Sequence, residues 1–381
     1  MALYELIATS AFGLESVVAD ELRTLGYAAL QVENGRVTFG GDAHDIARCN
    51  LHLRCADRVL LKMAEFPALD FEELFQGTLR VPWEEMIPVD GKMHVIGKSV
   101  RSKLASVSDC QAIVKKAVVE AMKRRFRKDW FEERGPVYRI EVAVLKDLVT
   151  LTIDTSGDGL HKRGYRRQAG EAPLRETLAA AMVLLSRWEP KRVLADPFCG
   201  SGTIVIEAAL IGRGIAPGLN RSFVSERWPQ VPGHVWAAAR EEARACISKD
   251  QFVVSASDLD EAMLTLARKN ARSAGVADAI AFKQGAAERF NAREPFGCIV
   301  TNPPYGERMG EMRQVEALYR MLGTLFRRLD GWSMFVLTPH PDFERLFGRP
   351  ADRRRKLYNG KIRCCFHQYY GPLPRKDRVP A

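Results

Sequence analysis

Long apolar runs are missing from this chain. Nothing in it approaches the roughly 18–20 consecutive apolar residues that would span a bilayer, and a membrane association is not expected. The basic stretch, apolar core and small-residue cleavage site of a signal peptide are also missing from the N-terminus, so the expected compartment is the cytoplasm. None of the eight cysteines forms a CxxC pair and none of the seven histidines an HExxH pattern, so no metal site is expected. With 381 residues, 46% hydrophobic and 27% charged, the chain can bury a core without a disulfide framework. No GK[ST] ending marks a phosphate-cradling P-loop, and no GxGxxG marks a dinucleotide turn. Acidic residues are outnumbered, 47 against 57 Lys and Arg, leaving a net charge of +10. That balance favours an anionic partner, nucleic acid first.

The first third alternates short strand and helix signals. Leu3–Ser10, Arg36–Gly41, Arg58–Phe66 and Met93–Gly97 read as strands. Helices are expected at Gly13–Leu25, at Ala43–Arg54 behind the N-cap Asp42, and around Phe71–Phe75. A longer helix is expected over Ser108–Arg127, where Ile113, Val114, Ala117, Val118, Ala121 and Met122 recur with a period near 3.6. Tyr138–Val144 and Leu148–Asp154 form a hairpin pattern around Lys146-Asp147. This is an α+β region that divides into residues 1–56 and 57–155. Residues 156–170, rich in Gly, Arg and Lys, read as a linker. Over 171–381 apolar strands alternate with helices, at Arg192–Pro197, Phe252–Asp258, Ile280–Gln284, Cys298–Asn302 and Met334–Thr338. That alternation predicts a doubly wound, mostly parallel sheet. Asn359-Gly360 between strand-like runs adds an antiparallel hairpin at its end.

Two motifs carry chemistry. In the first, the strand ending at Asp196 runs through Pro197-Phe198-Cys199-Gly200-Ser201-Gly202-Thr203 into the apolar run Ile204–Leu210. Two glycines let backbone approach a ligand closely, ahead of a helix N-terminus. Asp196 would repel a pyrophosphate and suits a cofactor with a positive amino-acid group. Asp258 ends the next strand, where a carboxylate can accept both hydroxyls of a ribose; capping the helix from Glu261 is its other possible task. It lies much farther on than the ~20 residues of a compact βαβ unit, so an insertion over 212–250 is expected.

The second motif is Asn302-Pro303-Pro304-Tyr305, closing the strand Cys298–Thr301. Two prolines enforce a rigid extended turn. The side-chain oxygen of Asn302 and the main-chain oxygen of Pro303 are two acceptors suited to an exocyclic base amine. Tyr305 offers a flat face for stacking an extruded base.

Together, DPFCGSGT, Ser257-Asp258 and NPPYGER resemble the class I S-adenosylmethionine-dependent methyltransferases that act on exocyclic base nitrogens. Phe71–Pro88 (with Val81-Pro82-Trp83), Ser99–Asp109 and Lys115-Lys116-Ala117 resemble a THUMP RNA-binding domain, preceded by a ferredoxin-like subdomain. His161-Lys162-Arg163-Gly164-Tyr165-Arg166 and Ala172-Pro173-Leu174-Arg175-Glu176-Thr177-Leu178-Ala179-Ala180 are also similar to the family. Nearly the whole chain is covered, and the nearest likeness is to the RlmL-like group, which makes N2-methylguanosine in large-subunit rRNA. THUMP-containing tRNA guanine-N2 methyltransferases are close relatives, and NPPY also suits adenine N6.

The resemblance implies a seven-stranded Rossmann-like catalytic domain that uses S-adenosylmethionine. It implies that Asp196, Pro197, Phe198, Cys199, Gly200, Ser201, Gly202 and Thr203 surround the methionine end. Asp258 would bind ribose, Leu259 would pack on the adenine, and Asn302, Pro303 and Tyr305 would handle the target base beside the cofactor. Many relatives carry an Asp after the third strand for the adenine amino group. Here the stretch is Gln284-Gly285-Ala286-Ala287-Glu288, so that contact is left to a main-chain carbonyl or to Glu288. Structured RNA is the expected partner. Lys116, Lys123 and Arg127 on one face of the long helix, and Lys162, Arg163, Arg166 and Arg167 in the linker, are candidate phosphate contacts. So is the run Arg353–Lys356. A monomer is expected, because two RNA-facing domains already supply an extended surface.

Overall fold

The computed structural model describes residues 3–166, 174–292, 294–306 and 309–372. Arg167, the end of the expected linker, Ala172-Pro173 and the Glu307-Arg308 end of NPPYGER lie outside the described residues.

Strands β1 (Tyr4–Ser10), β2 (Leu30–Glu33), β3 (Arg36–Gly41), β4 (Ala56–Pro67), β5 (Lys92–Val100), β6 (Val137–Leu145) and β7 (Leu148–Asp154) build one continuous sheet. Its order is β2-β3-β1-β4-β7-β6-β5. Only β5 and β6 pair in parallel; the other neighbours are antiparallel. The division expected at residue 56 therefore falls at the start of a shared strand. β4 is long enough to pair with β1 along one edge and β7 along the other, with a register shift between Lys62 and Ala64. Such a bulge bends a strand and lets one sheet serve two subdomains.

Helices α1 (Glu15–Thr24), α2 (Ala43–His52), α3 (Phe71–Leu79), α4 (Trp83–Met86) and α5 (Val107–Phe126) complete this half. Asp42 caps α2 as expected, taking the amides of His44 and Asp45. α5 buries Val114, Ala117, Val118, Ala121 and Met122, the stripe that its periodicity marks.

The second half is a three-layer α/β domain. Strands β8 (Leu194–Asp196), β9 (Val254–Asp258), β10 (Ile280–Gln284), β11 (Cys298–Thr301), β12 (Ser333–Thr338), β13 (Arg353–Asn359) and β14 (Ile362–Tyr369) order as β10-β9-β8-β11-β12-β14-β13. The first five are parallel, and the terminal hairpin is antiparallel. Helices α6 (Glu176–Leu185), α7 (Thr203–Gly212), α8 (Gly233–Ala245), α9 (Glu261–Ala274), α10 (Met309–Arg328) and α11 (Phe343–Phe347) accompany them. Strand order reverses between β8 and β11, and doubly wound sheets bind ligands outside the carboxyl ends at such a point.

The insertion between α7 and β9 clasps the two halves together. Trp228 stacks on Tyr138 at 4.7 Å and donates its indole N–H to the Val137 carbonyl. Ser225 donates to the Thr155 carbonyl, the Gly218 amide to that of Leu51, and Gln230 to that of Glu85.

Residues 156–166 are not a solvated linker. Ser156, Leu160, Arg163 and Tyr165 are buried between the halves. Arg163 is 4% exposed, pairs with buried Glu207 of α7 and donates to the carbonyls of Leu160 and Arg54. Arg166 pairs with Glu176 and donates to the Leu174 carbonyl. Neither guanidinium is free for RNA. Their sequence context reads as a basic surface run, but burial makes both structural.

Candidate functional site

The glycine turn after β8 is fixed from several sides. The Cys199 amide donates to the Ser257 carbonyl at 3.0 Å, and the Gly202 amide to that of Cys199 at 2.8 Å. Gly202 opens α7 at φ +85, and a Cβ there would sit 3.0 Å from Cβ of Ala267 on α9. Both the left-handed backbone and the helix approach demand glycine. Asn270 of α9 donates to the Ser201 carbonyl, and Arg166 donates to the Thr203 hydroxyl at 2.6 Å. Arg166 thus braces the turn. Cys199 is buried, and burial raises its thiol well above the ordinary range, which fits packing rather than reactivity.

Asp258 holds the turn against β9. Its carboxylate takes the Gly200 amide at 2.8 Å and the Asp260 amide at 3.0 Å. Helix α9 is capped by Asp260, so the capping task considered for Asp258 belongs to its neighbour. A carboxylate offers about four acceptor positions, and two remain for hydroxyls. Leu259 beside it is 68% exposed.

Asp196 departs from its expected place. It is 2% exposed and takes the Phe198 amide and the Thr301 hydroxyl, the latter at 2.7 Å. It ties β8 to β11 beneath the turn rather than facing the pocket. Burial pushes its carboxyl up to about 7, against the lowering effect of those hydrogen bonds. The buried strand end faces protein.

Asn302 and Pro303 follow β11, on the other side of the switch point. Tyr319 of α10 donates to the Pro304 carbonyl and bonds Thr338 at the end of β12. Tyr305 donates its hydroxyl to the Asn302 side-chain oxygen, and the Cys364 thiol lies 3.6 Å from that hydroxyl. Cys364 belongs to β14, so the terminal hairpin supports the motif.

Both motifs wall one cavity of about 680 Å³. Pro197, Phe198, Gly200, Asp258 and Leu259 form one side; Asn302, Pro303, Pro304 and Tyr305 form the other. Met263, Ala287 and Leu318 add apolar surface. In the stretch after β10, Ala287 lines the cavity and Glu288 is exposed. Two contributors escaped the sequence reading. Arg175, at the N-terminus of α6, and the hairpin tip Asn359–Ile362 also line the cavity. The only sequence signal for the tip is the turn dipeptide, which marks a hairpin but not its neighbour.

An acidic acceptor with spare lone pairs, a glycine turn and an apolar wall fit a nucleoside-bearing cofactor. Two oxygens at a rigid strand end, opposite that carboxylate, fit an amine to be modified. Of the RNA candidates, Lys116 is exposed on α5 and Arg127 is exposed at its C-cap, in a left-handed conformation past the helix end. Lys123 pairs with Glu120, and Lys162 with Asp158.

Three family descriptions match the chain: an RlmL ferredoxin-like domain over 5–60, a THUMP domain over 68–154, and an RMKL-like methyltransferase domain over 163–368. The chain is 51% identical to a Bacillus subtilis protein named "Putative RNA methyltransferase YpsC", over 100% of this chain and 99% of that one. It is 37% identical to the "Ribosomal RNA large subunit methyltransferase K/L" of Syntrophotalea carbinolica, over 94% of this chain but 52% of that protein. Among solved structures, SMU.472, complexed with SAH, superposes with a TM-score of 0.93 at 45% identity, covering 98% and 100% of the two chains. A Listeria monocytogenes protein described as "a predicted N6-adenine-specific DNA methylase" superposes at 0.94 with 48% identity, covering 98% and 97%. The chain belongs to the RMKL-like methyltransferase family, with an RlmL ferredoxin-like domain and a THUMP domain preceding its methyltransferase domain.

Proposed function

We propose that this methyltransferase uses S-adenosylmethionine to methylate the exocyclic N2 of a guanine in structured RNA, with large-subunit rRNA the first candidate. The observation that carries the reading is the shared cavity. Asp258 and Leu259 stand on one wall, and the acceptors Asn302 and Pro303 on the other. The THUMP match and the rRNA methyltransferase relative favour RNA over DNA.

The cofactor, when bound, supplies an electrophilic methyl, so the protein needs no nucleophile of its own. Asp258 would accept the ribose hydroxyls, and Leu259 would cover the adenine edge. The side-chain oxygen of Asn302 and the carbonyl of Pro303 would each accept one N–H of the target amine. That fixes the nitrogen lone pair along the line of attack and stabilises the positive charge that grows on it. The surplus proton leaves after attack, to water. Tyr305 has two tasks: its hydroxyl orients the Asn302 amide, and its ring offers a stacking face.

The test is transfer of labelled methyl to separated, unmodified rRNA and tRNA pools, followed by nucleoside analysis. N2-methylguanosine in large-subunit rRNA supports the full reading. The same nucleoside in tRNA keeps the chemistry and moves the substrate. N6-methyladenosine, the reading that the Listeria protein's description favours, overturns the base assignment.

A further inference from the structure

A second cavity, of about 740 Å³, opens beside the first, between residues 158–166 and the insertion. Arg175 lines both. Five cations and two carboxylates face this second space: Lys162, Arg163, Arg166, Arg175 and Arg221 against Asp158 and Glu176.

The ion pairs do not distribute evenly. Lys162 pairs with Asp158, Arg166 with Glu176, and Arg163 with Glu207 behind the wall. Both facing carboxylates are thereby used. Arg175 and Arg221 form no ion pair among the described residues. Arg221 is held instead by three main-chain carbonyls, those of Asp158, Gly159 and Lys162, with its guanidinium over the Phe223 ring. Carbonyl dipoles orient a guanidinium but leave its charge uncancelled. Burial, followed by the neighbouring charge of Arg163, lowers its pKa to about 10, still charged at neutral pH. His161 faces the same space; burial and then the charge of Arg175 hold it down to about 4, a neutral donor. A concave, preformed site with two guanidinium groups that form no ion pair among the described residues suits an anion.

We propose that this cavity binds a backbone phosphate of the RNA strand that carries the target nucleotide, with Arg221 and Arg175 as its ligands. The assignment rests on the RNA methyltransferase reading and deepens it. Arg175 borders both cavities, so a phosphate held there is adjacent to a base turned into the first. Extruding a base exposes its flanking phosphates, and gripping one of them keeps the nucleotide out of its stack. The linker's RNA contact thus falls to two arginines that the linker itself does not contain, in place of Arg163 and Arg166.

The test uses the full chain, a fluorescein-labelled single-stranded RNA hexamer with one central guanosine, and S-adenosylhomocysteine by calorimetry. Arg175→Ala and Arg221→Gln are each expected to weaken hexamer binding about tenfold at low salt. Each should also flatten the plot of log affinity against log salt by about 0.7, the share of one phosphate on a single strand. The melting temperature of Arg175→Ala, and the S-adenosylhomocysteine affinity of both variants, should match the parent. Arg221 also braces its loop, so the exposed Arg175 is the cleaner variant. Parental hexamer affinity and salt slope in both variants, with methyl transfer by the unmutated protein intact, would overturn the phosphate site and leave the enzymatic reading standing. Loss of S-adenosylhomocysteine binding in Arg175→Ala would assign that arginine to the cofactor and also overturn it. No transfer to any RNA by the unmutated protein would overturn both.

Discussion

Asn302 carries two demands on one oxygen. In the proposed reaction its amide accepts from a target amine, and it already accepts from Tyr305. An amide oxygen has two lone pairs, so both bonds fit, and the tyrosine fixes which way the amide faces. Asn302→Ala is expected to cut turnover by at least a hundredfold, in the range of a lost charge-stabilising group, with cofactor affinity unchanged by calorimetry. Tyr305→Phe keeps the ring and should cost about tenfold, because Asn302 keeps its oxygen but loses its orientation; the same pair of assays separates the two. Asp196 predicts a pH effect. Its folded-state carboxyl is raised from 3.8 to about 7, so the folded protein binds the proton more tightly than the unfolded chain. Its contribution is fully present below about pH 4 and is lost as pH rises towards 7. Asp196→Asn lacks that loss, so urea melts from pH 4 to 8 should show the variant gaining on the parent across this window. These residues stand out in the sequence because few residue types do such work. The Tyr305–Asn302 bond does not, since a turn must first bring the two together.

At the scale of elements, the insertion between α7 and β9 has the least legible role. Its length is visible as the excess spacing from the glycine turn to Asp258, but what it packs against is not. Trp228 stacks on Tyr138, a residue ninety positions earlier, and local pattern carries no information about such a partner. Trp228→Ala should cost about 3–5 kcal/mol, as deletion of a large buried side chain does, measured by urea unfolding. Strand and helix positions were better read. β3 and β10 match their expected spans, and α5 begins and ends within one residue of its own. β2 went unseen: its four residues are half-exposed at a sheet edge, too short to establish an alternation.

For the whole molecule, charge and covalent order decide different things. The net charge of +10, with exposed basic residues at the end of α5, predicts salt-sensitive RNA binding. Affinity for structured RNA should fall by at least tenfold between 50 and 200 mM salt, as counterion release requires for several phosphate contacts, measurable by filter binding. The clasp formed by residues 156–166 and the insertion ties the THUMP half to the catalytic half.

By itself the sequence determined the chemistry-bearing motifs, the parallel sheet with its terminal hairpin, and the THUMP half. The motifs and the sheet follow from short-range spacing, a glycine turn after a strand, prolines at a strand end and strands alternating with helices, whereas the THUMP half follows from its resemblance to a known family. Only tertiary structure decided which charges stay free. Arg163 and Arg166 read as surface cations yet are held in ion pairs, Asp196 is buried beneath the turn, and Arg175, in a family-like segment with no phosphate role assigned, and Arg221, in no motif, face an open cavity. The reason is physical. Whether a charge meets solvent, a partner or a ligand depends on what packs around it, and most of those neighbours lie tens of residues away along the chain.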